Sequence, residues 1–182
     1  MYASLVSLAV YDRRKGMVFM GTGKILIYTG DGHGKSPAAI GRAVQAAAVG
    51  KRVVLIQFLK SKGLGESALL RRMEPEIKIF RFEKSDENFA QLSDEKKRDE
   101  ISNIRNGLNF AKKVLTTGEC DLLILDEVLG LVENSILTVD ELKALLDYRD
   151  ETDVIMTGVK LQEEVCRLAD EVSKIETLKC EV

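Results

Sequence analysis

The chain has 182 residues, 45% of them hydrophobic and 31% charged, the composition of a globular protein long enough to bury a sizeable core. Lys plus Arg is 27 against 29 Asp plus Glu, so there is no basic footprint for nucleic acid. No apolar stretch approaches the roughly 20 residues needed to span a bilayer, and Cys120, Cys166 and Cys180 lack metal-ligand spacing, which fits a reduced, cytoplasmic setting and excludes a structural zinc site.

Residues 1–19 carry an apolar patch followed by Arg13-Arg14-Lys15. A secretory signal would place the basic residues first, so export is rejected. This stretch is expected to be an N-terminal extension before a single nucleotide-binding domain over residues 20–182. Met17 and Met20 are alternative initiators, because codons for Arg-Arg-Lys-Gly can spell a purine-rich ribosome-binding sequence.

Residues 24–28 form a short apolar run, read as a buried strand. The Ala-rich residues 36–49 predict a helix that can lie close to a sheet, with Gly50 at its C-terminal end. Residues 52–58 predict the next strand. Gly63 and Gly65 break the chain, residues 66–73 suggest a short helix, Pro75 ends it, and residues 77–82 suggest a third strand.

Ser93 is suited to cap a long helix whose inward face is Ile101, Ile104, Leu108, Ala111, Val114 and Leu115. The charged run 94–100 reads as its solvated start, and Gly118 as its end. Residues 120–125 predict a strongly apolar strand ending in Asp126-Glu127. T-V-D-E at 138–141 is a capping box that opens another helix. A strand at 152–157, a helix at 161–169 and a last strand at 171–175 complete the series. Alternation at this spacing predicts an α/β fold, a three-layer α/β/α sandwich with a mostly parallel sheet; with a glycine loop ending in Lys-Ser at 28–36 between its first strand and helix, the layout is P-loop NTPase-like. In such sheets ligands bind at the carboxyl ends of the strands.

Y-T-G-D-G-H-G-K-S, residues 28–36, joins the first strand to the first helix. The general phosphate-loop pattern G-x-x-x-x-G-K-[ST] would need glycine at position 29; Thr29 stands there and the glycine is Gly30. The physics survives this shift. Gly30, Gly32 and Gly34 can take positive φ and let backbone N–H groups converge on an anion. The following helix adds positive charge at its N-terminus. Lys35 supplies a mobile ammonium for phosphate oxygens, and Ser36 a hydroxyl for Mg²⁺ or Mn²⁺. The candidate nucleotide-binding residues are therefore Thr29, Gly30, Asp31, Gly32, His33, Gly34, Lys35 and Ser36. His33, the single histidine, is either a phosphate contact or catalytic acid, or a loop residue facing solvent. A turn without a ligand would need only one glycine. Pro37 removes one backbone N–H from the start of the helix.

D-L-L-I-L-D-E, residues 121–127, is the second half of such a site. A buried strand delivers two carboxylates to the sheet edge. Asp126 would hold the metal, and Glu127 would ligate it or orient a reactant; by themselves, two acids ending a strand would mean little. Lys35 and Glu127 are the candidate catalytic residues, and Ser36, Asp126 and Glu127 the candidate metal ligands.

Several separate stretches together resemble the P-loop-type ATP:corrinoid adenosyltransferases. They are residues 29–36, Gly41 with Arg42-Ala43, V-V-L-I-Q-F-L-K at 53–60 with Gly65-Glu66, residues 121–127, M-T-G at 156–158 and A-D-E-V-S at 169–173. The shifted pattern T-G-x-G-x-G-K-[ST] is the one this family uses. The resemblance implies transfer of the 5′-deoxyadenosyl group of ATP to Co(I) of a corrinoid, with release of triphosphate. It also implies a homodimer, a reduced corrinoid as co-substrate, an electron-donating flavoprotein as partner, and a corrinoid-facing place for Phe89. The charge balance and the lack of a long apolar stretch give no reason to expect a nucleic-acid or membrane partner.

The chain departs from the family where Pro37 replaces a second Ser or Thr, where Val159 replaces an Arg after Thr-Gly, and in lacking the family's usual His and glycine-containing tail after Lys179. Two other functions are consistent with the residues: a paralogue that binds ATP or corrinoid without turnover, and an ordinary P-loop phosphotransferase or NTPase.

Overall fold

The structure is a computed structural model that describes residues 10–12, 17–19, 22–59, 72–84 and 89–179. Two short strands, β1 (Val10–Asp12) and β2 (Met17–Phe19), pair antiparallel within the N-terminal stretch, where the sequence suggested no element.

The apolar runs then form β3 (Ile25–Thr29), β4 (Val53–Gln57), β5 (Ile77–Arg81), β6 (Leu122–Asp126) and β7 (Asp153–Gly158), with β8 (Glu171–Lys174) at one edge. All of these pair in parallel, in the order β5-β4-β6-β7-β3-β8. Central strands are buried on both faces, which is why they read as continuous apolar runs. Their side chains alternate between two cores. Ile25, Ile27, Val54, Ile56, Leu123 and Leu125 join one, and Leu26, Tyr28, Val53, Leu55 and Ile124 the other.

The second core is closed by Ala39 and Ala43 of α1 (Lys35–Ala48). The first is closed by Ile104, Leu108, Ala111 and Val114 of α2 (Asp94–Thr117) and by the shorter α3 (Val128–Glu133), α4 (Val139–Leu146) and α5 (Glu163–Cys166). Helices on both faces of a parallel sheet give the expected α/β sandwich. Ser93 caps α2 by accepting from the Lys96 N–H, and Gly118, at φ +62°, ends it in the left-handed conformation. The capping box at Thr138 and Glu141 is complete.

Four details differ from the sequence expectation. β6 starts at Leu122 and runs through Asp126, because the backbone of Asp121 is tied to Arg52 and the carboxylate end lies within the ladder. The expected helix over 161–169 shrinks to α5. Asp170 already pairs with the backbone of Ile25 through both its N–H and its carboxylate, so the chain must unwind to feed β8. α3 was missed because V-L-G-L-V-E is apolar nearly all round and shows no amphipathic stripe. Glu100 is not part of a solvated face; it is 3% exposed and accepts the Lys84 N–H. Of the suggested helix over 66–73, residues 66–71 lie outside the described residues.

Candidate phosphate and carboxylate site

Thr29 ends β3, and its hydroxyl and the Gly30 N–H both donate to the carbonyl of Val159, just past β7. This fixes the start of the glycine loop against the adjacent strand. Gly30 alone of the loop glycines has positive φ, at +113°. Gly32 and Gly34 do not use that freedom; what these two need is small size. A Cβ on Gly32 would lie 2.9 Å from the Ile175 carbonyl oxygen, and one on Gly34 3.0 Å from the Ile175 side chain. The Gly32 N–H donates to that same carbonyl at 3.1 Å. The loop is thus packed under the segment that follows β8.

Lys35 was expected to be mobile. It is buried, 6% exposed, with Nζ donating to the carbonyls of Gly30 and Gly32 at 2.8 Å each. The ammonium is curled inside its own loop, where the carbonyls replace lost water. Asp31 and His33 are exposed, which supports the solvent-facing reading of His33, and Gly34 is the N-cap of α1.

Ser36, in the first turn of α1, reaches across to the end of β6. Its Oγ donates to Asp126 Oδ1 at 2.7 Å, and both residues are buried. Thr157 Oγ1, from β7, donates to the same oxygen at 2.7 Å and itself accepts the Glu127 N–H at 2.9 Å. Gln57 Nε2, from β4, donates to Asp126 Oδ2 at 3.0 Å. Three donors on one carboxylate fix its rotamer. Glu127 is half-buried and takes φ +62° as the N-cap of α3. Phe89 opens a 3-10 turn (Phe89–Gln91) and packs, half-buried, against the larger core.

Fold thus unites Thr29, Gly30, Gly32, Gly34, Lys35, Ser36 and Asp126, with Glu127 adjacent. Sequence reading did not single out Thr157 or Ile175 for the site; the signal for Thr157 was a polar residue at the end of an otherwise apolar strand. Lys160, next to Val159, pairs with Glu133 at 2.6 Å. Among the described residues no cluster of His, Cys, Asp and Glu forms a metal cage made by protein alone. A hydroxyl beside a carboxylate is instead an all-oxygen donor set. That suits a hard cation whose remaining positions are filled by substrate oxygens and water. Chemically, the arrangement can bind a polyanion and position it.

Residues 21–182 match the family described as ATP:corrinoid adenosyltransferase BtuR/CobO/CobP. The corrinoid adenosyltransferase of Escherichia coli K12 is 30% identical over 159 residues, covering 86% of this chain and 78% of that protein. The corrinoid adenosyltransferase of Pseudomonas aeruginosa is 27% identical over 173 residues, covering 94% and 83%. A solved KaiC-like protein from Pyrococcus horikoshii superposes with a TM-score of 0.53 at 19% identity, covering 88% of this chain and 76% of that one, a likeness of fold. On these grounds the chain belongs to the ATP:corrinoid adenosyltransferase family BtuR/CobO/CobP.

Proposed function

We propose that this protein is an ATP:corrinoid adenosyltransferase that moves the 5′-deoxyadenosyl group of ATP onto Co(I) of a corrinoid. The cobalt of the co-substrate supplies the electron pair for the new Co–C bond. The C5′–O bond of ATP breaks, and triphosphate leaves with its electrons. Because the nucleophile is reduced cobalt, the protein need not furnish a general base. Its work is positioning, charge neutralisation and exclusion of water. The observation that carries this reading is the buried Ser36–Asp126 hydrogen bond beside the Gly30–Ser36 loop in a chain of this family.

In this reading Thr29, Gly30, Asp31, Gly32, His33 and Gly34 surround the triphosphate. Lys35 exchanges its contacts with the Gly30 and Gly32 carbonyls for phosphate oxygens. Ser36, Asp126 and Glu127 hold Mg²⁺ or Mn²⁺, which supplies electrostatic stabilisation of the leaving triphosphate. Phe89 is assigned to the corrinoid side by family likeness. A homodimer, an electron-donating flavoprotein and a cytoplasmic location belong to the same proposal, as does one catalytic domain over residues 20–182. The described residues contain no helix long and apolar enough to cross a membrane.

The test is incubation with ATP, Mg²⁺ and chemically reduced cobalamin. Adenosylcobalamin and triphosphate are expected, with Lys35→Ala slower by at least about 100-fold, the scale of losing one preorganised charge contact. Orthophosphate or diphosphate instead would mark an ordinary P-loop NTPase. A specific observation keeps one alternative in view. The turn at 159–160 presents Val159 and a Lys160 already paired with Glu133, where the family usually has an Arg. Tight binding of ATP or corrinoid with no product would identify a carrier or sensor.

A further inference from the structure

Arg81, Gln57 and Asp126 occupy matching positions on three adjacent parallel strands. Gln57 is the register partner of Arg81 on β5 and of Asp126 on β6. Matching register places all three on one face of the sheet at its carboxyl edge. That is also the face covered by α1, which carries Ser36. Arg81 Nε donates to Gln57 Oε1 at 3.1 Å, and Gln57 Nε2 donates to Asp126 Oδ2 at 3.0 Å.

The chemistry of the ends fixes the middle. A guanidinium can only donate and a carboxylate can only accept. The amide between them satisfies both in one orientation; turned over, it would set its oxygen against Asp126 and its NH₂ against Arg81. Arg81 therefore reinforces the orientation that Asp126 requires and anchors the far end of the Gln57 amide. Its Nη2 is buried and, among the described residues, has no hydrogen-bond acceptor. A half-buried guanidinium with one covered nitrogen left unsatisfied is a poor device for stability. Its presence is better explained by what it does to Gln57.

We infer that Arg81 is a positioning residue for Asp126, acting through the Gln57 amide to hold the carboxylate in its metal-binding geometry. The inference rests on the proposed role of Asp126 in holding the divalent ion of the nucleotide complex. It adds a residue that neither the glycine loop nor the D-L-L-I-L-D-E strand contains.

The experiment is Mn²⁺ binding to the protein in the presence of ATP, read by electron paramagnetic resonance, with metal-free ATP affinity measured alongside. Arg81→Met is expected to weaken Mn²⁺ binding about tenfold, the lower end for loss of an outer-shell partner, and to leave metal-free ATP affinity unchanged. Gln57→Met should match it. The double variant should be no worse than Gln57→Met, because the two act in series. Arg81→Lys, which keeps a donor, should recover part of the loss.

Wild-type Mn²⁺ affinity in Arg81→Met, or additive losses in the double variant, overturns the inference and leaves the proposed function standing. Absence of Mn²⁺ binding by the wild-type ATP complex overturns both. Should Arg81→Met fail to fold, Gln57→Met decides in its place: wild-type Mn²⁺ affinity there removes the link through which Arg81 acts and refutes the inference, and a loss of about tenfold supports it.

Discussion

Ser36 and Asp126 lie 90 positions apart in the chain and share a buried hydrogen bond of 2.7 Å. That contact joins the first turn of α1 to the end of β6, although β7 lies between β6 and β3 in the sheet. Helix α1 crosses over β7, whose Thr157 donates to the same carboxylate oxygen. The shared oxygen makes the two substitutions Ser36→Ala and Thr157→Val informative as a pair. Each should lower kcat/KM for ATP by about 10- to 100-fold if Asp126 must be held for the metal. Only Ser36→Ala removes a proposed metal ligand, so only it should also change the preference between Mg²⁺ and Mn²⁺. Steady-state formation of adenosylcobalamin with each ion checks both points.

Glycine substitutions should separate packing from propensity. Gly32→Ala places a Cβ 2.9 Å from the Ile175 carbonyl oxygen, and Gly30→Ala adds a positive φ to a 2.3 Å clash. Each should destabilise the protein by about 1–3 kcal/mol and displace the segment after β8. Gly41, on an exposed turn of α1, has nothing within 4 Å of a built Cβ. Gly41→Ala should stabilise by about 0.5–1 kcal/mol. Thermal unfolding of the three variants distinguishes the cases.

The two described cysteines should differ in reactivity. Burial, with Asp121 adding to it, pushes the Cys120 thiol up to about 12. It stays protonated at pH 8 and is also sterically covered, whereas Cys166 is exposed. Iodoacetamide at pH 8, followed by peptide mass spectrometry, should label Cys166 and spare Cys120 until the protein is unfolded. Because the folded value is raised, the stability linked to a neutral Cys120 is complete below the unfolded thiol value, about 8.5, and is lost as pH rises toward the folded one.

The cap of α4 carries its own pH signature. The Thr138 backbone N–H, with the Arg105 guanidinium second, holds the Glu141 carboxyl below its usual value. A depressed folded value means this contribution is present above the unfolded Glu value, about 4.3, and is lost as pH falls through the folded one. Thr138→Ala should cost about 1 kcal/mol at pH 7. The penalty should shrink from pH 7 toward pH 3 in proportion as the Glu141 carboxylate takes up its proton. Urea unfolding at both pH values measures it.

Much of the fold was legible because its signals are local. Ala spacing, the Ser93 and Thr138 caps, Gly118 and the apolar strands each act within a few residues, and each holds. Failures came where a distant partner overrode local preference. Asp170 bonded to Ile25 cut short the helix before β8, and Glu100 was buried by the backbone of Lys84.

For the site, the sequence by itself determined the parts: a glycine loop ending in Lys35-Ser36, an apolar strand ending in Asp126-Glu127, and a pattern shared with one family. Those are covalent facts, and the periodicity of side chains along a strand or helix carries them without reference to the rest of the chain. Only the tertiary structure decided that Lys35 is caged by Gly30 and Gly32, that Ile175 lies on the loop, and that Arg81, Gln57 and Asp126 line up across three strands. Strand order and register set those contacts. They arise from long-range burial and backbone pairing, which no local run of residues encodes.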